Sequence, residues 1–219
     1  MNCRLAYCIG LHQGDGGLGI NRNKRKTSKG EVTHEYWYIH YGSIDRYLTE
    51  EFNEGLGIGA EILVSEDNRK ESYKTYYRVN SHNRKVTEYL RSIGYGERKS
   101  VDISKLSGAI KGYEWEFLQG FMDADGYVSA KGKNDYMEWV FDDKVVAEFV
   151  YEFVSKFVKC SLYEDSNRRK ETMYSVRVSE LRIKELYNEL YRYKPSYVSR
   201  KQLRLLNIIT RRDSQFAVI

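Results

Sequence analysis

An internal repeat constrains the fold of this 219-residue chain more than any other feature. The segment LAYCIGLHQGDG at residues 5–16 and the segment WEFLQGFMDADG at residues 115–126 are mainly apolar, carry glycine at matched positions and end in Asp-Gly. Weaker matches lie downstream in both copies: Arg78-Val79 with Arg177-Val178, and Glu66-Asp67 with Glu164-Asp165. Self-similarity at a long period indicates a duplicated supersecondary unit. The sequence therefore predicts two related halves.

Apolar periodicity predicts the same order of elements in each half. Apolar residues at three- and four-residue steps indicate helices, and short apolar runs between polar turns indicate strands. Each copy is interpreted as αββαββα, and the second motif helix is expected to end at Gly126 in the left-handed conformation common at helix C-termini. We expect an N-terminal half at residues 1–94, a polar linker at 95–110 and a C-terminal half at 111–219. The predicted fold class is α+β, with two pseudo-symmetric halves.

Small residues recur at four-residue spacing in both motif helices. Gly10 and Gly14 lie on one helical face in the first copy, and Gly120 and Ala124 do so in the second. Small residues at this spacing allow two helix backbones to approach closely. We therefore expect the two halves to pack through their motif helices.

The acids that end the two motifs, Asp15 and Asp125, then emerge side by side at helix C-termini. A carboxylate in this position faces the negative end of the helix dipole and a second carboxylate, and both interactions are unfavourable. A divalent cation relieves them, and hard oxygen ligands with open positions favour Mg²⁺. Metals held in this way activate water and stabilise the charge that develops when a phosphodiester is displaced.

Composition and charge exclude several classes of protein. The chain is 41% hydrophobic with recurring aromatic residues, and no apolar run approaches the ~18 residues that span a bilayer. The first residues leave no room for a signal or transit peptide, and the three cysteines show no CxxC pairing, so we expect a cytoplasmic, nucleoid-associated protein. The formal net charge of +5 is compatible with a polyanionic partner. No catalytic role is assigned to the histidines, which lack metal-ligand spacing: His12, His34, His40 and His82.

The motifs resemble the signature of the LAGLIDADG homing endonucleases. Residues 118–126, LQGFMDADG, match six of its nine positions, and residues 8–16, CIGLHQGDG, are similar to a degenerate first copy. The resemblance extends over the whole chain and is to the single-chain, double-motif members encoded within introns. It implies a saddle of two curved antiparallel sheets along the major groove of a long DNA site. It also implies Mg²⁺-dependent cleavage of both strands that leaves short 3′ overhangs.

The resemblance also implies roles for individual residues. The metal-binding acids are Asp15 and Asp125, and the backbone carbonyls of Gly14 and Ala124 match positions that ligate metal in the family. A basic residue late in each half reaches the active site in the family, and the matching residues here are Lys99 and Lys201. These lysines are expected to stabilise the transition-state phosphate or to assist proton transfer. Weak candidates for ordering a water, where the family often has glutamine, are Ser43 and Asp143.

DNA contacts are expected from basic turns and from one face of each sheet. The turns grip phosphates, whereas side chains on a strand face can read bases in the major groove. In the strand predicted at residues 72–80, alternate side chains share one face. The candidate DNA-binding residues are Arg22, Lys24, Arg25, Lys26, Lys29, Arg69, Lys70, Lys74, Tyr76, Arg78, Asn80, Lys131, Lys133, Arg168, Arg169, Lys170 and Arg177.

The expected function is that of a monomeric, site-specific endonuclease acting on double-stranded DNA, with no membrane partner. Two alternatives keep the fold: an RNA maturase that assists intron splicing, and a DNA-binding regulator without catalysis. Retention of both Asp15 and Asp125 argues against the regulator, because a pure binder has no use for adjacent carboxylates beside phosphate. The maturase remains open, since one protein can have both activities.

Overall fold

A computed structural model describes residues 1–28, 30–67, 74–97, 100–132, 134–166, 171–193 and 199–216. Within these ranges the helices and strands follow the predicted order in both copies. Every helix in this part of the chain is too short or too polar to cross a membrane.

The first copy has the predicted αββαββα order. Its helices are α1 (Cys3–Asp15), α2 (Arg46–Gly55) and α3 (Arg84–Ser92), and its strands are β1 (Gly16–Thr27), β2 (Gly30–Ser43), β3 (Leu63–Asp67) and β4 (Lys74–Ser81). The strands form one antiparallel sheet in the order β1-β2-β4-β3.

The second copy repeats that order. Its helices are α5 (Glu114–Asp125), α6 (Lys144–Val154) and α7 (Glu180–Leu190), and its strands are β5 (Tyr127–Ser129), β6 (Tyr136–Phe141), β7 (Ser161–Ser166) and β8 (Thr172–Ser179). The sheet order β5-β6-β8-β7 matches that of the first copy. The α+β fold class and the duplicated halves are therefore confirmed.

Strand register corrects one of the weak sequence matches. Tyr41 and Trp139 are buried and occupy the same place in the two copies, because each lies four positions before the residue that precedes the next helix, α2 or α6. Tyr41 pairs with Val79, and Trp139 pairs with Val176. Val79 is thus equivalent to Val176, and Arg177 is equivalent to Asn80 rather than to Arg78. The Arg-Val match in the sequence is therefore displaced by two residues from the alignment that the strand pairing gives. A match of only two residues can place two strands out of register.

Each copy has one further helix after the predicted αββαββα elements. The segment interpreted as a linker contains α4 (Ile103–Ile110), which begins after Asp102, whose side chain accepts a hydrogen bond from the Lys105 amide. At the C-terminus, α8 (Arg200–Phe216) was not predicted. It buries Leu205 and Ile208, three positions apart, which is the spacing of one helical face.

The basic segment after the first motif is a strand rather than a loop. Residues 22–27 belong to β1 and pair with β2 along their whole length. This paired ribbon carries polar side chains on both faces and is mostly exposed, so it has no apolar alternation from which a strand could be predicted.

Packing divides the chain into two compact units. Unit I contains residues 1–14 and 112–219, and unit II contains residues 15–111. In unit I the core centres on Trp139, whose indole Nε1 donates a hydrogen bond to the Leu118 carbonyl at 3.0 Å. In unit II the buried ring of Tyr41 stacks on Phe52 with centroids 4.4 Å apart.

Unit I contains the close packing predicted for the small residues of the two motif helices. A Cβ placed on Gly10 would lie 1.9 Å from the Phe117 carbonyl oxygen, and one placed on Gly120 would lie 2.0 Å from the Tyr7 carbonyl oxygen. These distances leave no room for a side chain at either glycine. The backbones of α1 and α5 therefore touch at these two positions.

Gly126 does not adopt the left-handed conformation expected from its place after α5. Its φ is −64° and its ψ is 157°, which any residue can adopt. A Cβ at this position would lie 2.7 Å from the Met122 carbonyl oxygen, so glycine is favoured here by close backbone approach.

Candidate active site

Helix α5 presents the second motif acid at its C-terminus. Asp125 is the last residue of the helix and is exposed, whereas Ala124 before it is half-buried. Gly14 of α1 lies against both, because a Cβ built on it would be 2.5 Å from Ala124 Cβ and 3.3 Å from Asp125 Cβ. The exposed carboxylate and the helix-terminal carbonyl of Ala124 are hard oxygen donors of the kind that bind Mg²⁺.

Lys201 reaches this end of α5 from the first turn of α8. Its ammonium Nζ donates a hydrogen bond to the Ala124 carbonyl oxygen at 2.6 Å. The structure thus brings together Lys201 and Ala124, two residues that sequence reasoning assigned to one site. Lys99, the corresponding lysine of the first copy, lies outside the described residues.

A second carboxylate of the motif, Asp123, is buried two residues before Asp125. It accepts hydrogen bonds from three hydroxyl groups: Tyr7 at 2.8 Å, Tyr191 at 3.2 Å and Ser199 at 2.5 Å. Burial raises the pKa of Asp123 to about 6, although the three hydroxyl groups and the positive charge of Lys201 favour the ionised form. Gln13 occupies this motif position in the first copy, and no role was expected for Asp123 from the sequence. The difference between the two copies at this motif position was the signal that could have drawn attention to it.

In unit II, the first motif acid lies beside a concave face of the sheet. Asp15 is the last residue of α1. Burial is the main cause that raises the pKa of Tyr76, the negative charge of Asp15 raises it further, and the positive charge of Arg78 lowers it. The cavity over this face has a volume of about 610 Å³ and is lined by Asp15, Asn21, Tyr38, His40, Tyr41, Gly42, Tyr76, Arg78, Asn80, Ser81 and His82.

Three predicted DNA-binding residues of β4 share this cavity. The structure places Tyr76, Arg78 and Asn80 on the same sheet face, as their alternation in the sequence indicates. His40 and His82 also line it, although sequence reasoning gave the histidines no role because they lack metal spacing. Pairing of β2 with β4 explains why His40 was missed, since it faces Asn80 across the ladder and only the register shows this.

Ion pairs neutralise part of the basic ribbon formed by β1 and β2. Arg22 pairs with Glu35 at 3.0 Å and with Glu97 at 3.2 Å, and Lys24 pairs with Glu31 at 3.0 Å. Arg25 and Lys26 are exposed on the same strand. Exposed ion pairs are worth little in stability, so phosphate can compete for these cations.

The sheet of unit I holds Arg177 differently. Its guanidinium group pairs with the nearly buried Glu138 at 2.9 Å and lies over the rings of Tyr136 and Tyr163, 4.1 and 4.7 Å from their centroids. Arg177 is therefore fixed in place and its charge is balanced within the protein. Lys131, another candidate in this unit, is exposed.

Ser43 and Asp143, the weak candidates for ordering a water, contact helix N-termini. Asp143 caps α6 by accepting hydrogen bonds from the amides of Val145 and Val146. Ser43 Oγ accepts a hydrogen bond from the amide of Asp45 just before α2. Both side chains thus stabilise helix starts.

Several candidates lie outside the described residues. They are Lys29, Arg69, Lys70, Lys133, Arg168, Arg169 and Lys170. For Lys74 the strand is described but the side chain is not. Among the described residues, no group of three or more His, Cys, Asp or Glu side chains could hold a metal ion.

Comparison with known proteins agrees with this architecture. Residues 112–191, which include the second motif, match the family model of the LAGLIDADG-like domain. A search of curated proteins gives no match. The match of the second copy alone is consistent with the degenerate motif of the first.

Solved structures with a similar fold include I-DmoI in complex with DNA and Mn, with a TM-score of 0.56 and 16% identity over 88% of this chain and 98% of that chain. The I-LtrWI LAGLIDADG homing endonuclease bound to target DNA gives a TM-score of 0.59 and 14% identity over 98% of this chain and 91% of that chain. Residues 112–191 therefore belong to the LAGLIDADG family, and the chain has the fold of single-chain LAGLIDADG homing endonucleases with two motifs.

Proposed function

We propose that the chain is a site-specific homing endonuclease that cleaves both strands of a long DNA target and leaves short 3′ overhangs. The observation that carries this proposal is the end of α5, where the exposed Asp125 adjoins a carbonyl contacted by Lys201 at 2.6 Å. A carboxylate, a backbone carbonyl and an ammonium group at one helix end suit metal-assisted phosphodiester hydrolysis better than nucleic-acid binding alone. The DNA-bound state of I-DmoI and I-LtrWI, which share the fold, supports the same substrate class.

Divalent cations, in the first place Mg²⁺, are the cofactor of this proposal. Asp15 and Asp125 would hold them through carboxylate oxygens, and Gly14 and Ala124 through backbone carbonyls. The donor set fits, since all four supply hard oxygens and the exposed Asp125 leaves room for water and phosphate. The Ala124 carbonyl has two lone pairs, so its bond to Lys201 leaves a position open. Structures of I-DmoI with DNA and Mn, and with DNA and Ca, support the use of a divalent ion.

A bound cation supplies an activated water and charge stabilisation at the phosphate. Lys201 adds a fixed positive charge next to the motif end, where negative charge develops on the phosphate during displacement. Lys99 is proposed to act in the same way for the first copy. The two acids and two lysines match the need to cut two strands.

DNA recognition is assigned to the sheets and the β1–β2 ribbon. In unit II the exposed Arg78 and Asn80 line the concave face, and these residue types make bidentate contacts with guanine and adenine. Exposed cations such as Arg25, Lys26 and Lys131 are proposed to contact phosphates. The internal duplication supports action as a monomer on an asymmetric site.

A cleavage selection tests the proposal. The purified chain is incubated with a randomised double-stranded DNA library in Mg²⁺, and the new ends are sequenced. We expect recurrent ends at one long sequence with 3′ overhangs, and none with EDTA or with the Asp125→Asn variant. Binding to DNA without any new ends would favour the regulator, and selective binding to a structured intron RNA would favour the maturase.

A further inference from the structure

A hydrogen-bonded cluster in unit I centres on the buried carboxylate of Asp123 and includes Ser199, two residues before Lys201. We propose that Asp123 and Ser199 are positioning residues that fix the first turn of α8 and so hold Lys201 against the end of the motif helix. The role of Lys201 in cleavage rests on the proposed function. Its position, and the means by which that position is fixed, can be tested without DNA.

Ser199 connects the motif helix to α8. Its hydroxyl donates a hydrogen bond to Asp123 Oδ1 at 2.5 Å and accepts one from the amide of Gln202 at 3.0 Å. The Ser199 carbonyl accepts from the amide of Leu203 at 3.0 Å, so Ser199 is the N-cap of α8. Lys201 lies two residues further on, in the same turn. A shift of Ser199 therefore moves the lysine.

Asp123 anchors this turn to the rest of unit I. Its second oxygen accepts a hydrogen bond from Tyr7 of α1, and Tyr191 at the end of α7 donates to the same oxygen as Ser199. One carboxylate thus joins four helices at a point where it is only 3% exposed. Hydrogen bonds to a buried charged group are strong, and their loss leaves that charge uncompensated. The cluster therefore fixes Lys201 far more firmly than a solvated helix start could.

This arrangement belongs to the second copy. The first copy has Gln13 at the motif position of Asp123, and an amide side chain carries no charge with which to bind several hydroxyl groups at once. Because reactive groups must be held to within roughly 0.5 Å of their working geometry, the residue at the sixth motif position is expected to matter for cleavage although it lies away from the metal.

Trace acetylation of lysines tests the positioning in the protein without metal or DNA. Acetic anhydride is the probe, peptide mass spectrometry is the readout, and the exposed Lys156 is the internal reference. Ser199→Ala removes the hydroxyl, so we expect Lys201 to be labelled about tenfold faster than in the wild type, as for loss of one charge-assisted hydrogen bond. Ser199→Thr keeps the hydroxyl and should leave labelling within about twofold of wild type by the same reasoning.

A matched control separates positioning from general loosening of α8. Asp135 accepts a hydrogen bond from Arg211 in the distant part of α8 at 2.7 Å and is also buried. Asp135→Asn weakens the attachment of the same helix without touching its first turn, so Lys201 labelling should stay unchanged. Unchanged labelling in Ser199→Ala, or an equal increase in Asp135→Asn, overturns the proposal.

A double-mutant cycle tests the consequence for cleavage. Under single-turnover conditions at saturating DNA, Ser199→Ala should slow cleavage by roughly 100-fold, the cost of misplacing a reacting group by about 1 Å. The same change in a Lys201→Met background should have no further effect, because the residue through which Ser199 acts is gone. Equal slowing in both backgrounds contradicts the proposal. Absence of any cleavage by the wild type contradicts the proposed function instead, and the labelling result then decides the positioning by itself.

Discussion

Two carboxylates of one helix, Asp123 and Asp125, lie two residues apart and have opposite surroundings. Asp125 is exposed at the helix end, whereas Asp123 is buried among three hydroxyl donors, and burial raises its pKa. Because the two residues lie on different sides of the helix, Asp125 faces solvent and Asp123 faces α8. The sequence indicated Asp125 through the repeat, but the partners of Asp123 come from distant parts of the chain, so they could not be predicted.

At the level of single residues, Lys201 can be tested by substitution. Replacing Lys201 with Met removes the ammonium group beside the Ala124 carbonyl and keeps most of the side-chain volume. We expect single-turnover cleavage to slow by roughly 100- to 1,000-fold, as when one electrostatic donor is lost from an active site. Lys156→Met, at an exposed position, is the control and should cleave normally. An unchanged rate for Lys201→Met would remove this lysine from the mechanism.

Gln119 gives a second prediction, on stability. It is fully buried in α5, and within the described part of the chain neither its amide nitrogen nor its amide oxygen has a hydrogen-bond partner. An unsatisfied buried polar group costs about 1–3 kcal/mol. Gln119→Met should therefore raise the free energy of unfolding by about 1 kcal/mol in urea titrations. Gln119→Glu, which buries a charge, should lower it, and a lower stability for both variants would show that the amide has partners.

At the scale of elements, the contact between α1 and α5 was predictable because it depends only on small residues at helical spacing. Gly120→Ala places a methyl group against the Tyr7 carbonyl and should destabilise the protein by about 3 kcal/mol or more. Gly108→Ala in α4 is the matched control, since nothing lies within 4 Å of the added methyl. There the change should stabilise by up to about 1 kcal/mol through helix propensity. Similar effects of both changes on the urea midpoint would contradict the close packing of the helices.

Other elements were harder to predict. Residues 22–27 of β1 are all polar and were expected to form a basic turn, and only their pairing with β2 shows the strand conformation. Helix α8 follows α7 as α4 follows α3 in the first copy, but the segment of α4 was interpreted as a linker, so the repeat gave no reason to expect a helix there. Its buried Leu205 and Ile208 were a usable signal. Strand register was also beyond the sequence, since the Arg-Val match was displaced by two residues.

At the scale of the whole molecule, the two sheets are expected to contribute unequally to DNA binding. Arg78 is exposed on the concave face of unit II, whereas Arg177 in unit I is already neutralised by Glu138. Losing an arginine that contacts a base edge costs about 1–3 kcal/mol of binding and relaxes the preference at that base pair. Arg78→Ala should therefore weaken binding by about this amount, and Arg177→Ala should weaken it less. Titrations of target DNA in Ca²⁺ measure both affinities, and equal losses would contradict the inequality.

The proposed role of the motif acid is tested most directly by measuring cleavage and binding for one variant, Asp125→Asn, on the DNA target found by selection. Asparagine keeps the size of the side chain and removes the charge that is proposed to hold the cation. We expect cleavage in Mg²⁺ to be lost while affinity for the target stays within about threefold of wild type, since the acid is proposed to contact metal rather than bases. Retained cleavage, or equal loss of cleavage and affinity with an intact fold, would contradict this role.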